Sequence, residues 1–272
     1  MQTDLVLQQP RGVPTAAAEL LLLFHGVGSN AEDLRPLGHT LAAHRPNAWV
    51  VSVRSPLASD FETGWQWFAV QGVTEQNRPQ RVATAMPAFL KRVQAWQRET
   101  GVTAEHTTLV GFSQGAIMAL ESTQQDGQPL ASRVVAIAGR FAQPPRRFPS
   151  ATAVHLMHGE LDRVMPVERA VDADHQLRSL GARSTLDRFA GLGHGIDAQV
   201  VNGIAIRMGP TAGAARWPSG IFRPWSVFRQ ARSHHASVAP TLTWLPRCAP
   251  MPRTPRPVDG GRGGWGRPRS AP

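Results

Sequence analysis

The sequence has very little cysteine and no long apolar run. Its single cysteine, Cys248, excludes an internal disulfide, which favours a reducing compartment over a disulfide-built secreted domain. The apolar stretch at residues 20–24 is far too short to span a bilayer, and residues 1–12 lack the basic and apolar segments of a secretory signal. These observations predict a soluble, cytoplasmic protein.

Acidic residues are scarce at the carboxyl end of the chain. Residues 1–210 contain 19 Lys and Arg against 18 Asp and Glu, whereas residues 211–272 contain 10 Lys and Arg against a single Asp. The second part is also rich in proline and glycine and has no helical or strand period, so we expect a disordered basic tail after a neutral domain. Such tails can bind nucleic acid or anionic lipid by counterion release. Composition alone favours a reading-frame change or a poorly constrained extension instead.

The first 210 residues predict one α/β domain. Apolar runs typical of buried strands follow a weaker edge strand at residues 4–9; they lie at residues 20–24, 48–53, 107–110, 134–138, 151–157 and 184–189. Amphipathic stretches between or after these strands predict helices at residues 31–44, 78–100, 116–121 and 166–180, and a last helix that follows residue 197 and ends at about 206. In the second helix, Pro87 predicts a kink or a late start. Strands separated by helices indicate a mostly parallel, doubly wound sheet.

The pentapeptide Gly111-Phe112-Ser113-Gln114-Gly115 lies where a predicted strand changes into a predicted helix. A turn of this type holds its serine in a strained conformation, and the flanking glycines permit the close crossing of strand and helix. The first N–H groups of the helix then face the same point as the hydroxyl. Five matching residues can also occur by chance, so the pentapeptide alone does not identify Ser113 as a nucleophile.

A serine hydroxyl needs a base within hydrogen-bond reach and a carboxylate that orients the base. His194 follows the last predicted strand between two glycines, and Asp162 follows the strand before it. The order Ser113, Asp162, His194 is that of an α/β hydrolase. Asp162 could instead cap the next helix, with Glu160 as the acid. Two further histidines, His25 and His158, are interpreted as supporting or strand-end residues.

Two backbone N–H groups should stabilise the oxyanion of a reacting ester. One follows the nucleophile, at Gln114, and the other is expected in the loop after the first buried strand, at Val27. A plain turn is the alternative for Val27. The aromatic residues Trp65, Trp67 and Phe68 could wall an acyl pocket or simply pack in the core.

Five motifs resemble the phospholipase/carboxylesterase group of the α/β-hydrolase superfamily. They are HGVGSN at 25–30, WQWFAVQG at 65–72, GFSQGAIMAL at 111–120, HGELDRVMP at 158–166 and GLGHGID at 191–197. The resemblance covers about residues 4–205 and implies a three-layer α/β-hydrolase fold. It also implies a serine esterase without metal or cofactor, with Ser113 as nucleophile, Asp162 as acid, His194 as base and the N–H groups of Val27 and Gln114 as oxyanion donors.

The expected activity is hydrolysis of short to medium acyl esters. Phe68 is followed by Ala69-Val70-Gln71, whereas the acyl-protein thioesterases that this group includes tend to have an acidic residue there, so the small bacterial esterases are the nearer branch. Lysophospholipase or thioesterase activity remains the alternative within enzymes. An inactive hydrolase fold that binds nucleic acid or anionic lipid through its tail is the alternative from another class.

Overall fold

The structure, a computed structural model, describes residues 4–10, 18–61, 63–147 and 151–209. The basic tail at 211–272 lies outside these residues, so its predicted disorder, its boundary and its binding roles stay predictions. Within the described chain, no helix combines the length and the apolar character needed to cross a membrane.

Nine strands are present in the described residues, and seven of them form the central sheet. The strands are β1 (Leu5–Gln8), β2 (Glu19–Phe24), β3 (Ala48–Val53), β4 (Leu57–Ala58), β5 (Trp65–Gln66), β6 (Thr107–Phe112), β7 (Arg133–Ile137), β8 (Ala153–Gly159) and β9 (Ser184–Phe189). Their order in the sheet is β1-β3-β2-β6-β7-β8-β9. Within this sheet only β1 runs antiparallel to its neighbour, β3. The predicted mostly parallel, doubly wound sheet is therefore confirmed.

The helices of the described chain are α1 (Arg35–His44), α2 (Arg78–Thr100), α3 (Gln114–Ser122), α4 (Glu168–Ser179) and α5 (Ala198–Met208). A short 3-10 turn, Ala31–Leu34, precedes α1, and Asn30 caps it together with Asp33 in a reciprocal capping box. Gly101 ends α2 in the left-handed conformation at φ 69°.

Helix α2 starts at Arg78 as predicted, so the alternative of a late start at Pro87 is wrong, and helix α4 starts two residues later than predicted. Helix α2 begins at Arg78 and continues through Pro87, because Pro87 lies on the exposed side, where water can bind the carbonyl that its missing N–H leaves free. Helix α4 begins at Glu168 and not at Pro166. The preceding Met165 is held in a loop, since its N–H donates to Asp162 and its carbonyl accepts from His158.

Alternation along β2 explains the three layers. Leu20, Leu22 and Phe24 face the core beneath α2, α3 and α4, whereas Leu21 and Leu23 face the core beneath α1 and α5. All five side chains are fully buried, and each contributes about 1.5–3 kcal/mol by leaving water. A strand that is covered on both faces has no side open to water, and the run at residues 20–24 accordingly contains no polar residue.

The two outer strands differ from the inner ones. Strand β1 has only four residues, and its pairing with β3 shifts register between Val6 and Gln8. Strand β9 is mostly half-buried, and its Asp187 and Arg188 form ion pairs with Arg207 and Glu160.

Candidate active site

Ser113 occupies the turn between β6 and α3 in a strained conformation. Its φ of 53° and ψ of −114° lie where non-glycine residues are rare. The turn is fixed on both sides, because the Ser113 N–H donates to the Ile137 carbonyl of β7 at 2.9 Å and its own carbonyl accepts from Ile117. The side chain is 7% exposed. The expected strand-to-helix elbow is thus present.

The two glycines of the pentapeptide allow close backbone approaches. A Cβ atom at Gly115 would lie 2.2 Å from the Phe24 carbonyl oxygen, and one at Gly111 would lie 2.6 Å from the backbone of Ala116. Real Cβ atoms do not come this close to backbone atoms, so any larger residue would push the helix away from the sheet.

His194 connects Ser113 and Asp162. Its Nε2 lies 2.9 Å from the Ser113 Oγ, and its Nδ1 lies 2.7 Å from the Asp162 Oδ2. A neutral imidazole with its proton on Nδ1 satisfies both contacts, since Nδ1–H donates to the carboxylate and Nε2 accepts from the hydroxyl. The structure therefore brings the three predicted residues, distant in sequence, into hydrogen-bond contact.

The Asp162 carboxylate accepts three hydrogen bonds. Oδ1 accepts from the Val164 and Met165 N–H groups at 2.9 and 2.8 Å, and Oδ2 accepts from His194 and lies 3.3 Å from the His158 Nε2. Burial acts to raise the pKa of Asp162, but the contacts with His158, His194 and the Met165 N–H outweigh it and leave the pKa well below its ordinary value. The carboxylate consequently stays charged.

The alternatives for Asp162 do not match its contacts. Its carboxylate bonds to the loop at 164–165, three residues before α4 begins, so it does not cap that helix. Glu160 points elsewhere and forms an ion pair with Arg188 at 2.8 Å.

The loops that carry Asp162 and His194 are joined by backbone contacts. The Leu161 N–H donates to the Leu192 carbonyl at 2.9 Å, and the Glu160 N–H donates to the Phe189 carbonyl at 3.0 Å. Gly159 makes this approach possible, because a Cβ there would lie 2.3 Å from the Leu192 oxygen. The distance between acid and base is thus set by the ends of β8 and β9.

The two predicted oxyanion donors lie in neighbouring loops beside the serine. A Cβ at Gly26 would lie 3.2 Å from the Ser113 Cβ, so the residue before Val27 packs directly on the nucleophile. In the described chain the Val27 N–H donates to no backbone carbonyl. Gln114 is the first residue of α3, where N–H groups have no partner within the helix.

The three predicted pocket aromatics do not share one environment. Trp67 and Phe68 are buried in the core, where the Trp67 ring lies 5.5 Å from both Phe24 and Phe89. Core packing therefore accounts for the positions of the Trp67 and Phe68 rings. Trp65 is only partly buried, under the Arg54 guanidinium at 4.0 Å. The acyl-pocket role stays a prediction, and Trp65 is the least buried residue of the three.

His25 supports the loop that follows it. Its Nδ1 donates to the Gly26 carbonyl at 2.7 Å, and its Nε2 accepts from the Ser55 N–H at 3.2 Å. Burial lowers the pKa of His25 to about 4. The imidazole is thus neutral, outside the hydrogen-bonded group of Ser113, Asp162 and His194, and linked to the chain that leads to Val27.

Sequence reasoning missed the side chain of Gln114. Its Oε1 accepts from the Trp67 N–H at 2.8 Å, and its Nε2 donates to the Phe68 carbonyl at 2.7 Å. These partners lie 46 and 47 residues earlier in the chain, so no local pattern indicates them.

Two cavities in the described chain, of about 320 and 90 Å³, are lined by neither Ser113, Asp162 nor His194. Among the described residues, no cluster of three or more His, Cys, Asp or Glu side chains could hold a metal ion. The site is recognised by its hydrogen bonds.

Comparison with known proteins assigns the family. The sequence model of the phospholipase/carboxylesterase family matches residues 10–206. The chain is 48% identical over 181 residues to esterase YpfH of Escherichia coli K12, an alignment that covers 66% of this chain and 78% of the relative.

Solved structures agree with this. Esterase PE8 has a TM-score of 0.65 at 28% identity, covering 71% of this chain and 92% of PE8. The Bacillus cereus carboxylesterase has a TM-score of 0.62 at 17% identity, covering 74% and 90%, and supports the fold alone. The chain therefore belongs to the phospholipase/carboxylesterase family and is a carboxylic ester hydrolase with the α/β-hydrolase fold.

Proposed function

We propose that this chain is a serine carboxylesterase that hydrolyses short to medium acyl esters through an acyl-enzyme. The contact of His194 with both Ser113 and Asp162, at 2.9 and 2.7 Å, carries the proposal. In it Ser113 is the nucleophile, His194 the general base and then acid, and Asp162 the group that orients the imidazole. The single cysteine supports a reducing, cytoplasmic location as part of the same proposal.

The reaction begins with the attack of the Ser113 Oγ on the ester carbonyl. His194 accepts the hydroxyl proton on Nε2, and the charged Asp162 stabilises the imidazolium that forms. The tetrahedral oxyanion accepts hydrogen bonds from the Val27 and Gln114 N–H groups, the second of which opens α3 and adds the positive end of the helix dipole. His194 then returns the proton to the departing alkoxide, which leaves as the alcohol.

Water completes the cycle. It attacks the acyl group on Ser113 while His194 accepts one of its protons, and the same two N–H groups stabilise the second oxyanion. Collapse of this intermediate breaks the bond to Ser113, whose oxygen recovers a proton from His194. The products are the carboxylic acid and a free enzyme, and no metal or cofactor takes part in any step.

Apolar side chains near the site support an acyl substrate. Leu161 and Val164 flank Asp162 and are 61% and 66% exposed, and Phe61 is 59% exposed and packs beside Gly28 of the proposed oxyanion loop. An acyl chain gains about 0.8 kcal/mol for each CH₂ group that it buries on such surfaces. A panel of p-nitrophenyl esters, a lysophospholipid and an acyl thioester would separate the esterase from its two alternatives.

The nucleophile is tested with Ser113→Ala. Removal of the Oγ should lower kcat for a p-nitrophenyl ester on the scale of triad deletions, ~10⁶ in the best-studied case, and should abolish labelling by a fluorophosphonate. Ser122→Ala is the matched control, since the Ser122 Oγ donates to Ala119 within α3 and lies away from the site. Retention of a near-native rate by Ser113→Ala would reject the proposal.

A further inference from the structure

Two donors that act on one oxyanion must keep a fixed separation, yet Val27 and Gln114 belong to different parts of the chain. Val27 follows β2, and Gln114 begins α3 after β6. Their loops meet at Gly26, which packs against Ser113. A displacement of about 1 Å in such a site can cost about 10²-fold in rate, so some contact has to hold the two loops together.

Segment 65–68 is in contact with both loops. At one end, Trp65 pairs with the Val27 loop, because the Gly28 N–H donates to the Trp65 carbonyl at 2.9 Å and the Trp65 N–H donates to the Ser29 carbonyl at 2.8 Å. Gly64 permits this pairing, since a Cβ there would lie 2.1 Å from the Gly28 oxygen.

At its other end the same segment is held by Gln114. The carboxamide uses both of its polar atoms, Oε1 on the Trp67 N–H and Nε2 on the Phe68 carbonyl. Gln114 is 3% exposed, so these two bonds form away from water and are costly to lose. The Trp67 indole adds a third connection, to the His25 carbonyl at 2.9 Å.

We infer that the Gln114 side chain is a positioning group that sets the distance between the two oxyanion donors. Its carboxamide fixes segment 65–68 against α3, and the Trp65 backbone transmits that position to Gly28 and so to Val27. One residue thus supplies a donor through its backbone and positions the other donor through its side chain. This inference rests on the proposed function.

The test compares Gln114→Met and Gln114→Glu with the wild type on a p-nitrophenyl ester. Methionine keeps the volume and the backbone N–H but makes neither hydrogen bond, so kcat should fall ~10-fold to ~100-fold with little change in KM. Gln97→Ala is the matched control. The Gln97 Nε2 also joins two partners, Thr107 Oγ1 and the Leu130 carbonyl, but at the amino end of β6. This control should lose stability and keep its kcat.

Gln114→Glu gives a readout that a purely structural role would not change. An ionised carboxylate cannot donate to the Phe68 carbonyl, whereas the protonated acid can, and burial favours the protonated form. The ratio of the variant's kcat to that of the wild type should therefore rise as the pH is lowered from about 8 to about 5.5. A charge effect alone would leave Gln114→Met near the wild-type rate.

The outcomes separate the two proposals. If Ser113→Ala abolishes hydrolysis while Gln114→Met keeps the wild-type kcat, the positioning role is refuted and the serine mechanism stands. If Ser113→Ala keeps its rate, the mechanism itself fails. Should Gln114→Met not fold, a constant kcat ratio for Gln114→Glu across the pH range would overturn the positioning role.

Discussion

His25 should make the folded state sensitive to mild acid. The imidazole is fully buried, and its Nε2 accepts from the Ser55 N–H while Nδ1 donates to the Gly26 carbonyl. Burial lowers the pKa of His25 from 6.5 to about 4. A proton on Nε2 would also remove the only acceptor atom of the ring.

The direction and size of this pH effect on stability follow from the difference between the pKa values of His25 in the folded and unfolded states. As the pH falls below 6.5 the unfolded chain binds a proton at His25 that the folded chain does not bind until about pH 4, so stability is complete above 6.5 and is lost between these values. At 1.36 kcal/mol per pKa unit the loss is about 3 kcal/mol. His155 acts in the same direction and window, because burial lowers its pKa to about 4 as well.

The assay is urea denaturation at half-unit steps of pH between about 4 and about 8. His25→Asn removes the titrating group, so the slope of unfolding free energy against pH should decrease by up to about 1.4 kcal/mol per pH unit near pH 5. His175→Asn, the same substitution at an exposed histidine of α4, is the control for the exchange of His for Asn as such. An unchanged slope in His25→Asn would refute the reasoning.

Of two substitutions in the site, one should lower activity and nearly keep stability, and the other should lower stability. In Asp162→Asn the amide N–H would face His194 Nδ1, which now donates to the carboxylate, and this forces the wrong imidazole tautomer. The kcat should fall ~10⁴-fold while thermal stability is nearly kept. A loss of kcat smaller than ~10-fold would contradict the role of Asp162 as the orienting acid. Gly115→Ala places a Cβ 2.2 Å from the Phe24 oxygen and should lower the free energy of unfolding by about 3 kcal/mol or more. Gly195→Ala is the control, because a Cβ there meets nothing within 4 Å. Equal melting temperatures of the two variants would refute this prediction.

The sequence was sufficient for the sheet and for the order of the site residues. Each inner strand is an apolar run such as residues 20–24, and a strand covered on both faces allows little else. Ser113, Asp162 and His194 each follow one strand, and parallel strands end at one edge of the sheet. Topology alone therefore predicts that the three side chains meet.

What the sequence could not predict depends on distant pairing. Strands β4 and β5 have two residues each, too short for any period, and β5 exists because Trp65 pairs with Ala58 and Ser29. The delayed start of α4 depends on Asp162 and His158 binding the Met165 backbone. The Gln114 carboxamide has its partners 46 and 47 residues earlier in the chain, so no local pattern indicates them.

The margins of the sheet have a consequence for association between molecules. Strand β1 has four residues and a register shift in its pairing, and short, irregular edge strands are poor templates for another chain. At the opposite margin, the charges of Asp187 and Arg188 would be stripped of water by an incoming strand. Both margins thus discourage aggregation by strand addition.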